Sequence, residues 1–109
     1  MMKKTYTLAA LMLTALVGIA HADEAAQLAR GKQLFTTAAV PACAVCHTLK
    51  DAGTEGAIGP VLDELQPDAA RVTRALRDGI GSMPSFKATM SEADIAAVAL
   101  YVSQASRAK

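Results

Sequence analysis

Cys43-Ala44-Val45-Cys46-His47 is the stretch that decides the fold of this 109-residue chain. Two cysteines three positions apart, followed directly by a histidine, form the pattern of covalent c-type haem attachment. Each thiol can add across one of the two vinyl groups on an edge of the haem, which gives two thioether bonds. The adjacent imidazole then lies beneath the iron as its proximal ligand. The stretch therefore predicts one haem c, held by Cys43, Cys46 and His47.

Three other uses of paired cysteines fit this chain less well. A disulfide across so short a loop would remove little entropy from the unfolded chain. Zinc sites normally use four ligands, and the sequence has no second Cys or His pair downstream. A thioredoxin-like redox pair belongs beside a βαβ unit, whereas no pattern of parallel strands is present. Haem attachment is the best-supported interpretation.

Residues 1–22 have the pattern of a secretory signal peptide. Lys3 and Lys4 form a positive start, an apolar stretch follows over about 8–20, and Ala20-His21-Ala22 fits a small-x-small cleavage site. The apolar stretch is short and interrupted for a membrane span, although an uncleaved anchor is the alternative. We therefore expect export to the periplasm without stable membrane insertion, and one mature domain over 23–109.

The predicted mature domain is small and nearly neutral. Removal of Lys3 and Lys4 leaves nine Lys and Arg against ten Asp and Glu, a net charge of −1. This balance gives no clear basic excess, so nucleic-acid binding is not expected. The domain would have 87 residues and three aromatic side chains, and domains of this size usually need a staple or a cofactor. The haem would supply that interior.

The pattern after residue 22 predicts an all-α fold, with three main helices and short turns around the haem. The main helices are expected over 23–36, 68–78 and 92–103, with one helical turn at 61–65. Asp68 and Ser91 are the predicted N-caps and Gly79 the predicted stop. Residues 50–59 are expected to form an exposed loop. Residues 81–86 are expected to be extended, because a residue before a proline avoids the helical region.

An iron held by one imidazole has a sixth position, and two methionines could fill it. His21, the other histidine, leaves with the predicted signal peptide, which excludes bis-histidine ligation in a mature single chain. Met83 precedes Pro84, where an extended and rigid chain could hold a thioether at a fixed approach to iron. Met90 lies directly before the Ser91 cap, where an apolar side chain often packs as a hydrophobic staple. Met83 is therefore the predicted ligand, with a gap-filling core methionine as the alternative.

The mature chain resembles a small class I bacterial cytochrome c of the c6- or c5-like kind over nearly its whole length. The resemblance is carried, in order, by Gly31 with Phe35, the haem motif, Gly59-Pro60 with Leu62, Met83-Pro84, and Tyr101. It implies that the first and last helices cross, with Gly31 permitting close approach and Phe35 meeting Tyr101. It also implies that the Pro60 carbonyl accepts a hydrogen bond from the Nδ1–H of His47, which would orient the imidazole and raise its basicity.

A six-coordinate His/Met haem leaves no open position for a substrate, so we expect an electron-transfer protein rather than an enzyme. The expected role is to carry single electrons in the periplasm between a dehydrogenase and a terminal oxidase or reductase, through a small transient interface. Two alternatives stay open. The short loop, Gly59-Pro60 and the Met-Pro-Ser-Phe stretch resemble cytochromes paired with sulfite dehydrogenases, which would make the chain a dedicated electron acceptor. The other is a haem sensor with a labile sixth ligand.

Overall fold

The computed structural model describes residues 21–108, and residues 1–20 of the predicted signal peptide lie outside this range. The fold is mainly helical, as predicted, with one very short antiparallel hairpin. Helix α1 covers 21–33 and continues as a π-helical turn over Leu34–Ala38. The later elements are a 3-10 turn Cys43–Val45, β1 Thr48–Leu49, a 3-10 turn Lys50–Ala52, β2 Thr54–Glu55, α2 Leu62–Leu65, α3 Ala69–Asp78 and α4 Glu92–Ala105. Within 21–108, no helix combines the length and the apolar character that crossing a membrane requires.

The predicted helix boundaries are confirmed at both capped helices. The Asp68 carboxylate accepts a hydrogen bond from the Arg71 amide at 2.8 Å, and the Ser91 hydroxyl accepts one from the Asp94 amide at 3.1 Å. These bonds satisfy amides that have no partner within the first helical turn. Gly79 ends α3 with a φ of 70°, a conformation that glycine adopts at little cost. Helix α4 continues two residues beyond its predicted end at Ser103.

Helices α1 and α4 cross at Gly31, as the resemblance implied. A Cβ atom at position 31 would lie 2.2 Å from the Ala97 carbonyl oxygen and 2.6 Å from the Tyr101 Cβ. One turn further along α1, the rings of Phe35 and Tyr101 meet edge to face with centroids 6.1 Å apart. The absence of a side chain at residue 31 is therefore what lets the two backbones approach.

The hydrophobic core lies between α1, α3 and α4 and extends under the segment that follows the haem motif. Helix α4 contributes more of it than any other element, because one of its faces is buried, including Ile95, Val98, Ala99 and Val102. Helix α3 adds Leu76, and β1 adds Leu49, which is fully buried. The partly buried residues packed against this core include Cys43 and Met83. Two of the predicted haem-binding residues, Cys43 and Met83, therefore pack against the same hydrophobic core.

Two expectations about irregular segments need correction. Residues 50–59 are not only a loop, because Thr54–Glu55 pairs with Thr48–Leu49 in a hairpin. Residues 81–86 are not extended throughout. Ile80 and Met83 exchange two backbone hydrogen bonds, of 3.1 and 3.0 Å, around a tight turn. Gly81 permits this turn with a φ of 57°, since the proline rule restricts Met83 and not the residues before it.

Candidate haem site

The two cysteines lie on one tight turn and are not joined by a disulfide. Cys43 opens a 3-10 turn that Cys46 closes, with the Cys46 amide 3.2 Å and the His47 amide 2.9 Å from the Cys43 carbonyl oxygen. Both side chains are half-buried. The turn therefore fixes the two sulfurs and the histidine backbone relative to one another.

The environment of Cys43 suits a neutral sulfur. Burial raises the pKa of its thiol to about 11, because the low-dielectric surroundings penalise the thiolate. Catalytic cysteines and zinc ligands use the thiolate and are found where its pKa is lowered. A thioether carries no charge and meets no such penalty. Cys43 therefore fits a thioether bond to haem better than a nucleophilic or metal-thiolate role.

His47 is oriented by the main chain on the far side of its loop. Its Nδ1 lies 2.8 Å from the Pro60 carbonyl oxygen. Because that oxygen can only accept, Nδ1 carries the proton and Nε2 has the lone pair available for a metal. This is the hydrogen bond that the resemblance implied.

Gly59 leaves the space in which the imidazole lies. A Cβ atom at residue 59 would come within 2.5 Å of the ring Cε1 and 2.8 Å of Nδ1. The Gly59 amide donates to the Cys46 carbonyl at 2.7 Å, which holds the glycine beside the motif. Gly59-Pro60 therefore works as a unit, in which the glycine admits the ring and the proline orients it.

The backbone after His47 is held by two threonine hydroxyls. Thr54 donates to the His47 carbonyl at 3.0 Å and accepts from the Leu49 amide at 3.1 Å. Thr48 donates to the Gly56 carbonyl at 3.0 Å. A Cβ at Gly56 would lie 2.5 Å from the His47 amide nitrogen. This hairpin packs directly on the haem motif and limits movement of the histidine backbone.

The two methionines occupy different environments. Met90 is buried in the core, and its amide donates to the Phe86 carbonyl at 2.9 Å. Met83 is only half-buried and closes the Ile80–Met83 turn directly before Pro84. The environment of Met90 is that of a packing side chain, whereas the Met83 thioether has an exposed side toward which a cofactor could lie.

Large apolar side chains are exposed in the motif turn, beside Gly59 and at the Ile80–Met83 turn. Val45 lies between the cysteines, Ile58 precedes Gly59, and Ile80 pairs with Met83; they are 60%, 71% and 69% exposed. Within 21–108, no three His, Cys, Asp or Glu side chains converge as a bare metal ion would require. The residues present fit a haem bound through Cys43, Cys46 and His47.

Several residues that support the site were not found from the sequence. The Tyr101 hydroxyl donates to Asp51 at 2.6 Å, and Lys32 pairs with the same carboxylate at 3.6 Å. Asp63 accepts a hydrogen bond from the Lys50 amide at 3.0 Å. The only sequence signal for these carboxylates is their position shortly after the haem motif, and that signal names no partner.

The motif turn, the oriented imidazole and the crossed terminal helices define a small monohaem c-type cytochrome, an electron-transfer protein rather than an enzyme. The chain belongs to the family described as cytochrome C oxidase, cbb3-type, subunit III, whose model matches residues 26–102 as a c-type cytochrome domain. It is also similar to the crystal structure of the c-type cytochrome SorU from Sinorhizobium meliloti. The two sequences are 49% identical, the TM-score is 0.71, and the match covers 73% of this chain and 91% of that one.

These comparisons confirm three predictions made from the sequence. The resemblance to a small bacterial monohaem cytochrome c is confirmed, and so is the helical cytochrome c fold. The cofactor is covalently bound haem c, for which Cys43 and Cys46 have the fitting spacing.

Proposed function

We propose that this protein carries single electrons in the periplasm, with His47 and Met83 as the axial ligands of its haem. Cys43 and Cys46 form the thioether bonds, residues 1–22 are removed as a signal peptide, and 23–109 form the mature domain. Bound haem c stores one electron by cycling between ferric and ferrous iron. The chain's own residues would hold this haem, with the Pro60 carbonyl orienting His47.

The observation that carries the proposal is the 2.8 Å hydrogen bond from His47 Nδ1 to the Pro60 carbonyl. In the neutral imidazole it directs the Nε2 lone pair outward as the metal-binding nitrogen, and it restrains rotation of the ring. A hydrogen bond at the second ring nitrogen makes the imidazole a stronger donor to metal. Gly59 and the hairpin keep this arrangement fixed. A ligand that does not move between oxidation states keeps the reorganisation on electron transfer small.

Met83 as the sixth ligand makes electron carriage the favoured function. Its half-buried thioether beside the Ile80–Met83 turn supports this role, and the burial of Met90 supports a packing role for the second methionine. A thioether ligand raises the potential relative to two imidazoles. It would also fill the position at which oxygen or a substrate could otherwise bind. A haem sensor would instead require this ligand to dissociate readily.

The two methionines offer a matched test. Met83→Leu and Met90→Leu each remove a sulfur at nearly constant volume. In the ferric protein, Met83→Leu should abolish the near-infrared methionine-to-iron charge-transfer band and open the ferrous protein to rapid CO binding. Met90→Leu should leave both properties as in the wild type. A band that survives Met83→Leu would remove Met83 from the ligand set, and rapid CO binding by the wild type would favour the sensor.

The partners we propose are a periplasmic dehydrogenase as donor and a terminal oxidase or reductase as acceptor. The leader-like pattern over 1–22 supports the compartment. The Gly59-Pro60 and Met83-Pro84-Ser85-Phe86 stretches favour, as the more specific form of this proposal, a sulfite dehydrogenase as the dedicated donor. Stopped-flow reduction by purified dehydrogenases would distinguish a general carrier from a dedicated acceptor of a sulfite dehydrogenase. Fast reduction by a sulfite dehydrogenase alone indicates the dedicated role, and comparable rates with several donors indicate the general one.

A further inference from the structure

The loop between His47 and Pro60 is closed by two parallel links. The first joins His47 Nδ1 to the Pro60 carbonyl oxygen at 2.8 Å, and the second joins the Lys50 amide to the Asp63 carboxylate at 3.0 Å. Each link spans 13 residues. The second link therefore lies three residues further along the chain at both of its ends. Lys50 directly follows β1, and Asp63 lies in α2.

The segment that carries Pro60 has little structure of its own to fix it. Helix α2 has four residues, begins after Val61 without a side-chain cap, and ends at Gln66 in a left-handed conformation. So short a helix is not stable without tertiary contacts. Leu62 buries one face of α2, and Arg107 donates to the Gln66 carbonyl at its far end. Asp63 supplies the anchor at the end nearest Pro60.

The segment that carries Lys50, at the other end of this hydrogen bond, is held firmly in place. Leu49 is fully buried, and β1 is paired with β2. Lys50 opens a 3-10 turn whose preceding residue gives no side-chain cap. The Asp63 carboxylate therefore caps this turn from another segment. Hydrogen bonds to a charged acceptor are among the stronger ones in proteins, and Asp63 is half-buried.

We propose that Asp63 is a positioning residue for the axial histidine. Its carboxylate fixes α2 to the segment that follows β1, so that the Pro60 carbonyl stays directed at His47 Nδ1. The inference rests on the proposed function, because it takes His47 as the haem ligand. Without the link, α2 can move away from β1, and the hydrogen bond to the imidazole weakens. A less basic imidazole stabilises ferric iron less, so the reduction potential rises.

Three variants of the haem-loaded protein separate the hydrogen bond from the charge. Asp63→Ala removes both, Asp63→Asn keeps an acceptor oxygen without the charge, and Glu64→Gln removes a neighbouring exposed charge. Within the described residues, the Glu64 side chain makes no hydrogen bond, which makes it the matched control. Proton exchange at His47 Nδ1 is measured by NMR on the diamagnetic ferrous protein, and the potential by redox titration.

The expected order follows from the strength of the link. Asp63→Ala should speed exchange at His47 Nδ1 by about tenfold, the factor that corresponds to one charge-assisted hydrogen bond. Asp63→Asn should speed exchange by about threefold, because a hydrogen bond to a neutral acceptor is roughly half as strong as one to a carboxylate. Glu64→Gln should leave exchange unchanged. The potential of Asp63→Ala should exceed those of both charge-only variants.

Two results would overturn the inference. One is exchange in Asp63→Ala within twofold of the wild type. The other is equal potentials in all three variants, which would reduce Asp63 to a surface charge. Failure of the proposed function looks different, since the wild type itself would then lack the ring-current-shifted signals of a coordinated His47. If Asp63→Ala does not fold, Asp63→Asn against Glu64→Gln still decides, because any role of the link requires faster exchange in the former alone.

Discussion

Replacing Gly31 by alanine tests the helix crossing on which the fold depends. Alanine is the better helix former, and on an exposed helix position the change would stabilise the protein by about 1 kcal/mol. At this position the new Cβ would lie 2.2 Å from the Ala97 carbonyl oxygen and 2.6 Å from the Tyr101 Cβ. The gain in helix propensity and the overlap with α4 have opposite effects on stability. The sign of the measured change in unfolding free energy therefore shows which of them is larger.

The size of the stability loss depends on whether the contacted atoms of α4 can move away from the new Cβ. Ordinary contacts begin near 3.4 Å, so α1 and α4 must separate by about 1.2 Å at this point. Both contacted atoms belong to, or are fixed to, the α4 backbone, and no side-chain rotation relieves the overlap. Overpacking of this kind costs about 3 kcal/mol at the upper end of the usual range. After the gain in helix propensity, Gly31→Ala should lose about 2 kcal/mol of unfolding free energy.

Urea unfolding and thermal melting of the haem-loaded protein measure this loss. For a domain of this size, the melting temperature should fall by about 8–16 °C. Ala26→Gly, at an exposed position of the same helix, reports the propensity effect alone and should cost about 1 kcal/mol. If Gly31→Ala is as stable as the wild type or more stable, α1 and α4 do not cross as described.

Three further outcomes are expected. Gly59→Ala should displace the His47 ring, since its Cβ would lie 2.5 Å from Cε1; resonance Raman or NMR of the ligand should change, and an unaltered Nδ1 proton signal would contradict this. Tyr101→Phe should cost about 1.5 kcal/mol by removing the 2.6 Å hydrogen bond to Asp51, measured by urea unfolding. Burial, then the bond to Asp51, raises the pKa of Tyr101 above its ordinary value of 10.0. Its contribution to stability should therefore be complete below pH 10 and decline as the pH rises toward the folded pKa, and Tyr101→Phe should lack this decline.

Features that depend on a few neighbouring residues could be predicted from the sequence. Asp68 and Ser91 cap their helices as expected, because an N-cap bond joins residues three apart. Gly79 ends α3 for an equally local reason. The motif turn at Cys43 also depends only on its own backbone. The contacts of Gly31 and Pro60 are distant in sequence, and the family resemblance, rather than any local pattern, supplied them.

Features that depend on backbone freedom over several residues were predicted less well. Pro84 restricts Met83, but the turn at Ile80–Met83 forms upstream of that restriction, where Gly81 adopts a positive φ. The polar, glycine-containing composition of 50–59 is typical of a loop. The hairpin is stabilised there because the Thr54 hydroxyl accepts from the Leu49 amide and donates to the His47 carbonyl. These two hydrogen bonds cannot be predicted from the presence of a threonine in the sequence.

The carboxylates after the haem motif show why the rest of the site needs a structure. Asp51 and Asp63 are equally plausible in the sequence as solvent-exposed charges, but one accepts from Tyr101 and the other from the Lys50 amide. Each bond joins segments that only the tertiary fold brings together. Neutralising either residue would therefore change the packing as well as the charge. The exposed Glu64 side chain is free of this coupling within the described residues, so charge alone can be varied there. Charge and packing are thus linked at Asp51 and Asp63 and separable at Glu64.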